Sequence, residues 1–365
     1  MGGLARAPVP ATGRSLEFPG RTTMTTVTTA APVDFARYGD YGGSMTSPKG
    51  AAFERPAYRF GGRIGSERFP AEAGRYRLYV SYACPWAHRT LIVRALKGLE
   101  DAVSVAVVDP VRDGRGWAFR EGPGHGPDTV GHFALLRDLY EGTEPGYDGH
   151  VSVPVLWDTD TRRIVSNRFD EITLDLNACF NAWAKNRVDL YPADLREEID
   201  ALDRHLYAAV NNGVYKCGFA PSQEAYDEAV AALFEALDGL EERLADRRYL
   251  AGDRLTVADV RLWPTLARFD TVYGTHFKAN LRRLQDYPNL WGYARDLYAD
   301  PAFGSTTDFG HIRRHYYITH GALNPRRIVP AGPLPDFAAQ HDRARLGGAE
   351  GAGAGPRVVS PRPGA

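Results

Sequence analysis

A small α/β domain followed by an all-helical domain is the fold class that this 365-residue sequence predicts. Three observations carry the prediction. Between about 75 and 166, short strand-like apolar runs flank a single strongly helical stretch. From about 193 onward the apolar period is helical throughout. Cys84, one of only three cysteines, falls where the first strand gives way to the first helix.

Each element has its own local reason. Residues 1–50, rich in Ala, Thr, Pro and Gly, read as a flexible lead-in. A strand is expected at 75–81 and a helix at 85–99, with Pro85 in the first turn, where its missing N–H costs nothing. A strand at 104–108 and a long insertion follow. Strands at 152–157 and 163–165 are joined by the turn sequence Asp158-Thr159-Asp160-Thr161. A helix then runs from about 170 to 178. Beyond it, Leu195, Ile199, Leu202 and Leu206 recur at helical spacing, as do Val230, Leu233, Phe234, Leu237, Leu240 and Leu244. Thr256-Val257-Ala258-Asp259 is a capping-box start for a helix through Leu262 and Leu266. The Gly- and Ala-rich end reads as a disordered tail. The expected organisation is a lead-in at 1–50, an α/β domain at 51–180, a helical domain at 181–335 and a tail at 336–365. No internal repeat is visible.

Composition narrows the class. A net charge of -1 gives no electrostatic case for nucleic acid or an anionic membrane. No apolar run reaches the roughly 18 residues that a membrane span needs. Cys84, Cys179 and Cys217 form an odd, sparse set, which argues against a disulfide framework and for a reducing compartment. Residues 1–32 lack the apolar core of a secretory signal, and the first six residues lack the Ser or Thr of a myristoylation site. A cytoplasmic protein is expected. Among 44 basic residues, only Lys49, Lys97, Lys185, Lys216 and Lys278 are lysines, a skew that reports GC-rich coding more than function.

Cys84 is the strongest chemical candidate. At a helix N-terminus, unpaired N–H groups and the positive end of the dipole favour an anion, so a cysteine there tends to the thiolate. His311 and His315 share an i, i+4 spacing but lack the neighbouring Glu of a zinc protease, and no metal is expected. Gly122-Pro123-Gly124-His125-Gly126 does not sit between a strand and a helix, so it reads as loop rather than phosphate cradle.

The thiol at the first helix, the Val153-Pro154 dipeptide and the helical second half together resemble the glutathione transferases. Within them, the segment from Tyr79 to Thr90, containing Cys84-Pro85-Trp86-Ala87, resembles the signature of the Xi class, the glutathionyl-hydroquinone reductases. So do Gly114 to Phe119, Asn211 to Ala220, Arg268 to Lys278, His311 to Tyr317 and Asn324 to Pro333. The likeness runs from about 50 to 335.

That resemblance implies a thioredoxin-like N-terminal domain and a cis-proline at Pro154, with the backbone of Val153 pairing with the thiol co-substrate. It implies Cys84 as nucleophile, attacking the sulfur of a glutathionyl-quinol to leave a mixed disulfide that a second glutathione resolves. Ala87 stands where a dithiol motif has its second cysteine, so resolution must be external. Tyr215, Tyr273 and Tyr316 match the tyrosines that bind and protonate the departing quinol oxygen, and a phenol can donate to a phenolate of similar basicity. Trp117 matches the position that packs on the thiol. A homodimer is also implied.

One stretch departs from the pattern. Arg168-Phe169 stands where the family usually carries Glu or Gln followed by Ser to hold the γ-glutamyl group. Asp170 can substitute if the loop is shifted. Alternatively, Arg168 belongs to a site for another thiol, such as the pseudo-disaccharide mycothiol, because an arginine fork suits hydroxyl-rich or carboxylate-bearing groups. Two rival functions stand beside the reductase: a general thioltransferase or dehydroascorbate reductase, and a non-catalytic scaffold with an unreactive Cys84.

Overall fold

The computed structural model describes residues 28–42 and 56–347. Four strands, β1 Tyr76–Val80, β2 Val103–Val107, β3 Val155–Asp158 and β4 Arg163–Ser166, form one mixed sheet in the order β2-β1-β3-β4. β1 runs parallel to β2 and antiparallel to β3, which is antiparallel to β4. The side chains of β1 do not alternate between core and water, because all five residues are buried. The insertion after β2 covers its second face. There Asp128 accepts from the Tyr79 hydroxyl at 3.0 Å and lies 3.4 Å from Arg77 Nε.

The first four helices are α1 Phe35–Tyr38, α2 Pro85–Lys97, α3 Leu136–Thr143 and α4 Phe169–Ala178, with α2 packed on α4. Gly98 closes α2 in the left-handed region, at φ 64°, where a Cβ would be strained. The remainder is helical: α5 Arg196–His205, α6 Gly213–Gly218, α7 Gln223–Arg243, α8 Val257–Arg268, α9 Gly274–His276, α10 Pro288–Ala299, α11 Pro301–Gly304 and α12 Phe309–Thr319. π-helical turns at Leu206–Asn211 and Phe269–Tyr273 precede α6 and α9. No helix among the described residues is long and apolar enough to cross a membrane.

The strand and helix expectations hold within a residue or two, with three differences. β3 starts at 155 rather than 152, because Pro154 has no N–H to give to a ladder; the Val153-Pro154 peptide ahead of the strand is cis. α3 is a helix inside what read as insertion, and it buries Leu136, Leu139, Tyr140 and Thr143.

The third difference concerns the chain ends. Residues 336–347, expected in a disordered tail, are packed. Phe337 is 3% exposed among the rings of Trp263, Trp291, Tyr298 and Phe309, and buried Arg343 donates to the Leu244 carbonyl at 2.7 Å. Likewise, 28–42 of the expected lead-in lies on the insertion. Ala30 N–H bonds Phe119 O, and the Arg115 guanidinium lies 3.6 Å from the Tyr38 ring centre. The rest of the expected lead-in and tail (1–27, 43–55 and 348–365) lies outside the described residues.

Candidate active site

Cys84 is the N-cap of α2, and Pro85 opens the helix. Its half-buried thiol donates to the Val153 carbonyl at 3.4 Å. The turn that aims it is held from the helical half of the chain. Buried Arg268, at the end of α8, donates to the carbonyls of Ala83 at 3.1 Å, Tyr82 at 2.8 Å and Pro264 at 2.7 Å. It also lies 3.2 Å from His88 Nδ1. Arginine can only donate, so Nδ1 accepts and Nε2–H of a neutral His88 donates to Thr306 Oγ1 at 3.1 Å. Burial, and then the Arg268 charge, hold the His88 pKa well below its ordinary value. Neither His88 nor Arg89 faces solvent. Arg89 donates to Asn211 Oδ1 at 2.7 Å and to the Arg261 carbonyl at 3.0 Å.

The three tyrosines, drawn from α6, the turn before α9, and α12, meet at one point. The Tyr316 hydroxyl lies 2.6 Å from that of Tyr215 and 3.0 Å from that of Tyr273. Burial pushes the phenols of Tyr273 and Tyr316 well above their ordinary pKa, so both are protonated donors at neutral pH. Trp117 is 4% exposed, with the His315 ring stacked on it at 5.1 Å and the Arg112 guanidinium over it at 4.4 Å. The histidine pair ties α12 to the insertion, since His311 bonds the Pro123 carbonyl at 2.7 Å and His315 the Pro110 carbonyl at 2.6 Å.

Comparison with known proteins decides the family. Residues 83–179 match the model of the glutathione S-transferase N-terminal domain, and 223–296 that of the C-terminal domain. The chain is 48% identical over 308 residues to the glutathionyl-hydroquinone reductase YqjG of Escherichia coli, an alignment covering 82% of this chain and 94% of YqjG. The chain belongs to the Xi-class glutathione transferases. A Xi-class transferase from Natrialba magadii superposes with a TM-score of 0.78 at 49% identity, over 80% of this chain and 90% of that one. The glutathione-bound structure of YqjG superposes at 0.74 with 51% identity, over 75% and 90%. The expected fold class, a thioredoxin-like domain plus an all-α domain, is therefore that of this Xi-class chain.

In this Xi-class enzyme, Arg168 and Asp170 sit at the N-terminus of α4, where Arg168 is the N-cap and makes no side-chain cap bond. A cleft of about 410 Å³ opens there, lined by Tyr58, Arg168, Phe169, Asp170, Asp203 and Tyr207 among others. Phe169 is a wall of it, its ring tilted against that of Trp86 at 4.7 Å. Arg168 Nε lies 3.4 Å from Glu171.

Two residues of the site escaped the sequence reading. Arg268 acts on a turn 185 positions away, which no local pattern reveals. Arg112 lies in the irregular part of the insertion, where there is no period to read. The other two cysteines are remote in chemistry from Cys84. Burial raises the thiol of Cys179, which donates to the Ile64 carbonyl, and pushes that of Cys217 up to about 12.

Proposed function

We propose that this enzyme reduces glutathionyl hydroquinones with glutathione as the thiol donor. The carrying observation is the pairing of a helix-capping Cys84, bonded to Val153 O, with three converging phenols that share Tyr316 as hub. The names of its relatives support the same reading. In the proposed cycle the Cys84 thiolate attacks the conjugate's sulfur and the carbon–sulfur bond breaks. Its electron pair passes to the quinol carbon, and the tyrosine cluster delivers the proton. A Cys84–glutathione disulfide remains. A second glutathione thiolate attacks it, giving oxidised glutathione and free Cys84. The quinol carbon thus gains two electrons and two thiols lose them. Val153, Pro154 and Trp117 hold the thiol, with Arg168 and Asp170 at its amino end. Protein burial around the phenols supports keeping the departing quinol away from bulk water.

The cleft at α4 favours a second donor. Aromatic walls, two carboxylates and an arginine suit a polyhydroxylated thiol such as mycothiol. Single-turnover reduction of glutathionyl-menadiol and mycothiyl-menadiol, each with its own thiol and with Cys84→Ala as control, separates the two. The primary reading expects Cys84-dependent turnover with glutathione; turnover with mycothiol alone replaces the donor, and none with either defeats the reductase assignment. A homodimer in a reducing, cytoplasmic setting belongs to the same proposal, and light scattering coupled to size exclusion tests the assembly.

A further inference from the structure

Arg112 is an unusual cation. It is 5% exposed, and its guanidinium lies 3.7 Å from the Tyr41 ring centre and 4.4 Å from that of Trp117. Its Nε is buried without a hydrogen-bond partner. Among the described residues, no carboxylate pairs with it. Asp113, next in the chain, is taken by Arg115 at 2.6 Å and faces Arg120 at 3.6 Å. Ionisable groups within electrostatic reach of the guanidinium include Tyr41, Cys84, Tyr215, Tyr316 and the histidines His315 and His320. His315 and His320 are held neutral by burial, and Tyr316 is held protonated.

A buried guanidinium without a counter-charge is costly, and flanking rings recover only part of that cost. Within this set Cys84 is the one group whose ionisation the proposed cycle requires, and that charge vanishes once the mixed disulfide forms. Among the described residues, then, no counter-ion persists through the cycle, and an acid group on the ligand would supply one. The planar fork of arginine fits a carboxylate in two parallel hydrogen bonds. The guanidinium lies over Trp117, assigned above to the thiol, but the other neighbour of that ring is His315, whose ring meets Tyr316 of the quinol side at 5.2 Å.

We propose that Arg112 is a carboxylate receptor facing the quinol half of the site, so that hydroquinones bearing an ionised acid substituent are the preferred substrates of this enzyme. The proposal rests on the reductase reading above. Its test compares glutathionyl conjugates of carboxymethyl-hydroquinone and of carbamoylmethyl-hydroquinone, the same size without the charge. The readout is the ratio of their kcat/KM values, which does not depend on the fraction of protein correctly folded. The wild type is expected to favour the acid by about tenfold to a hundredfold, the worth of a charged hydrogen-bond pair. Arg112→Gln is expected to abolish the preference and Arg112→Lys to retain part of it.

A ratio near one in the wild type, or one that survives Arg112→Gln, overturns the inference while leaving the reductase intact. A further arm uses the carbamoylmethyl-hydroquinone conjugate of glutathione glycyl ethyl ester. If Arg112→Gln impairs the free-acid thiol but not the ester, with no effect of the quinol's acid, the receptor reads the thiol and the quinol assignment falls. Absence of Cys84-dependent turnover with every conjugate defeats the underlying reading instead.

Discussion

Tyr316 is the residue on which the phenol cluster turns, because both other hydroxyls reach it and not only each other. Tyr316→Phe is expected to slow single-turnover quinol release by about a hundredfold or more, the scale of a lost general acid. Tyr273→Phe, which removes one bond to the hub, is expected to cost less. Equal losses in rapid-mixing experiments would place the proton donor elsewhere. Cysteine reactivity gives a second test at this scale. With Cys217 pushed up to about 12 and Cys179 raised by burial, iodoacetamide should modify one thiol per chain at neutral pH, and none in Cys84→Ala, by intact mass. Cys84 and the tyrosines were legible in the sequence because each sits in a local motif. Arg112 and Arg268 were not, since their roles exist only through neighbours distant in the chain.

At the scale of elements, helix starts were readable because their chemistry is local. Thr256 caps α8 as its sequence predicts. Asp259 returns the bond to Thr256 N–H at 2.9 Å and also accepts from Leu250 N–H at 2.9 Å and the Tyr293 hydroxyl at 2.8 Å. Thr256→Ala should therefore destabilise by about 1 kcal/mol, the ordinary worth of a cap, read as a shifted urea midpoint. Asp259→Ala removes the acceptor of those three buried donors and of the Thr256 hydroxyl, and should cost clearly more. α3 was missed although Leu136, Leu139, Tyr140 and Thr143 carry a helical period, because Leu135 is not a capping residue type, even though Asp138 accepts from its N–H at 2.9 Å. Burial on both faces of β1 was hidden for another reason. The cover comes from an irregular insertion, and irregular chain has no pattern to extrapolate.

For the whole molecule, the end of the described chain is structural. Phe337→Ala should cost about 3 kcal/mol or more, as emptied aromatic sites do, and lower the melting temperature. The low-complexity composition beyond 336 concealed this, because one phenylalanine and one arginine do the anchoring. Stability should also depend on pH. Burial holds the pKa of His276 at about 4, while the unfolded chain titrates it near 6.5. Its contribution is complete above 6.5 and is lost as pH falls from 6.5 towards 4, by about 3 kcal/mol in full. His88, His315 and His320 shift in the same direction. Melting curves from pH 7.5 to 4.5 should fall across that window, and His276→Gln should flatten the slope.

Ala87, fully buried one turn into α2, gives the proposed cycle its last constraint. With no second thiol behind Cys84, the protein cannot restart itself and waits on whatever reduced thiol the surroundings supply. In the proposed cycle, thiol starvation would leave the enzyme stalled as its own mixed disulfide.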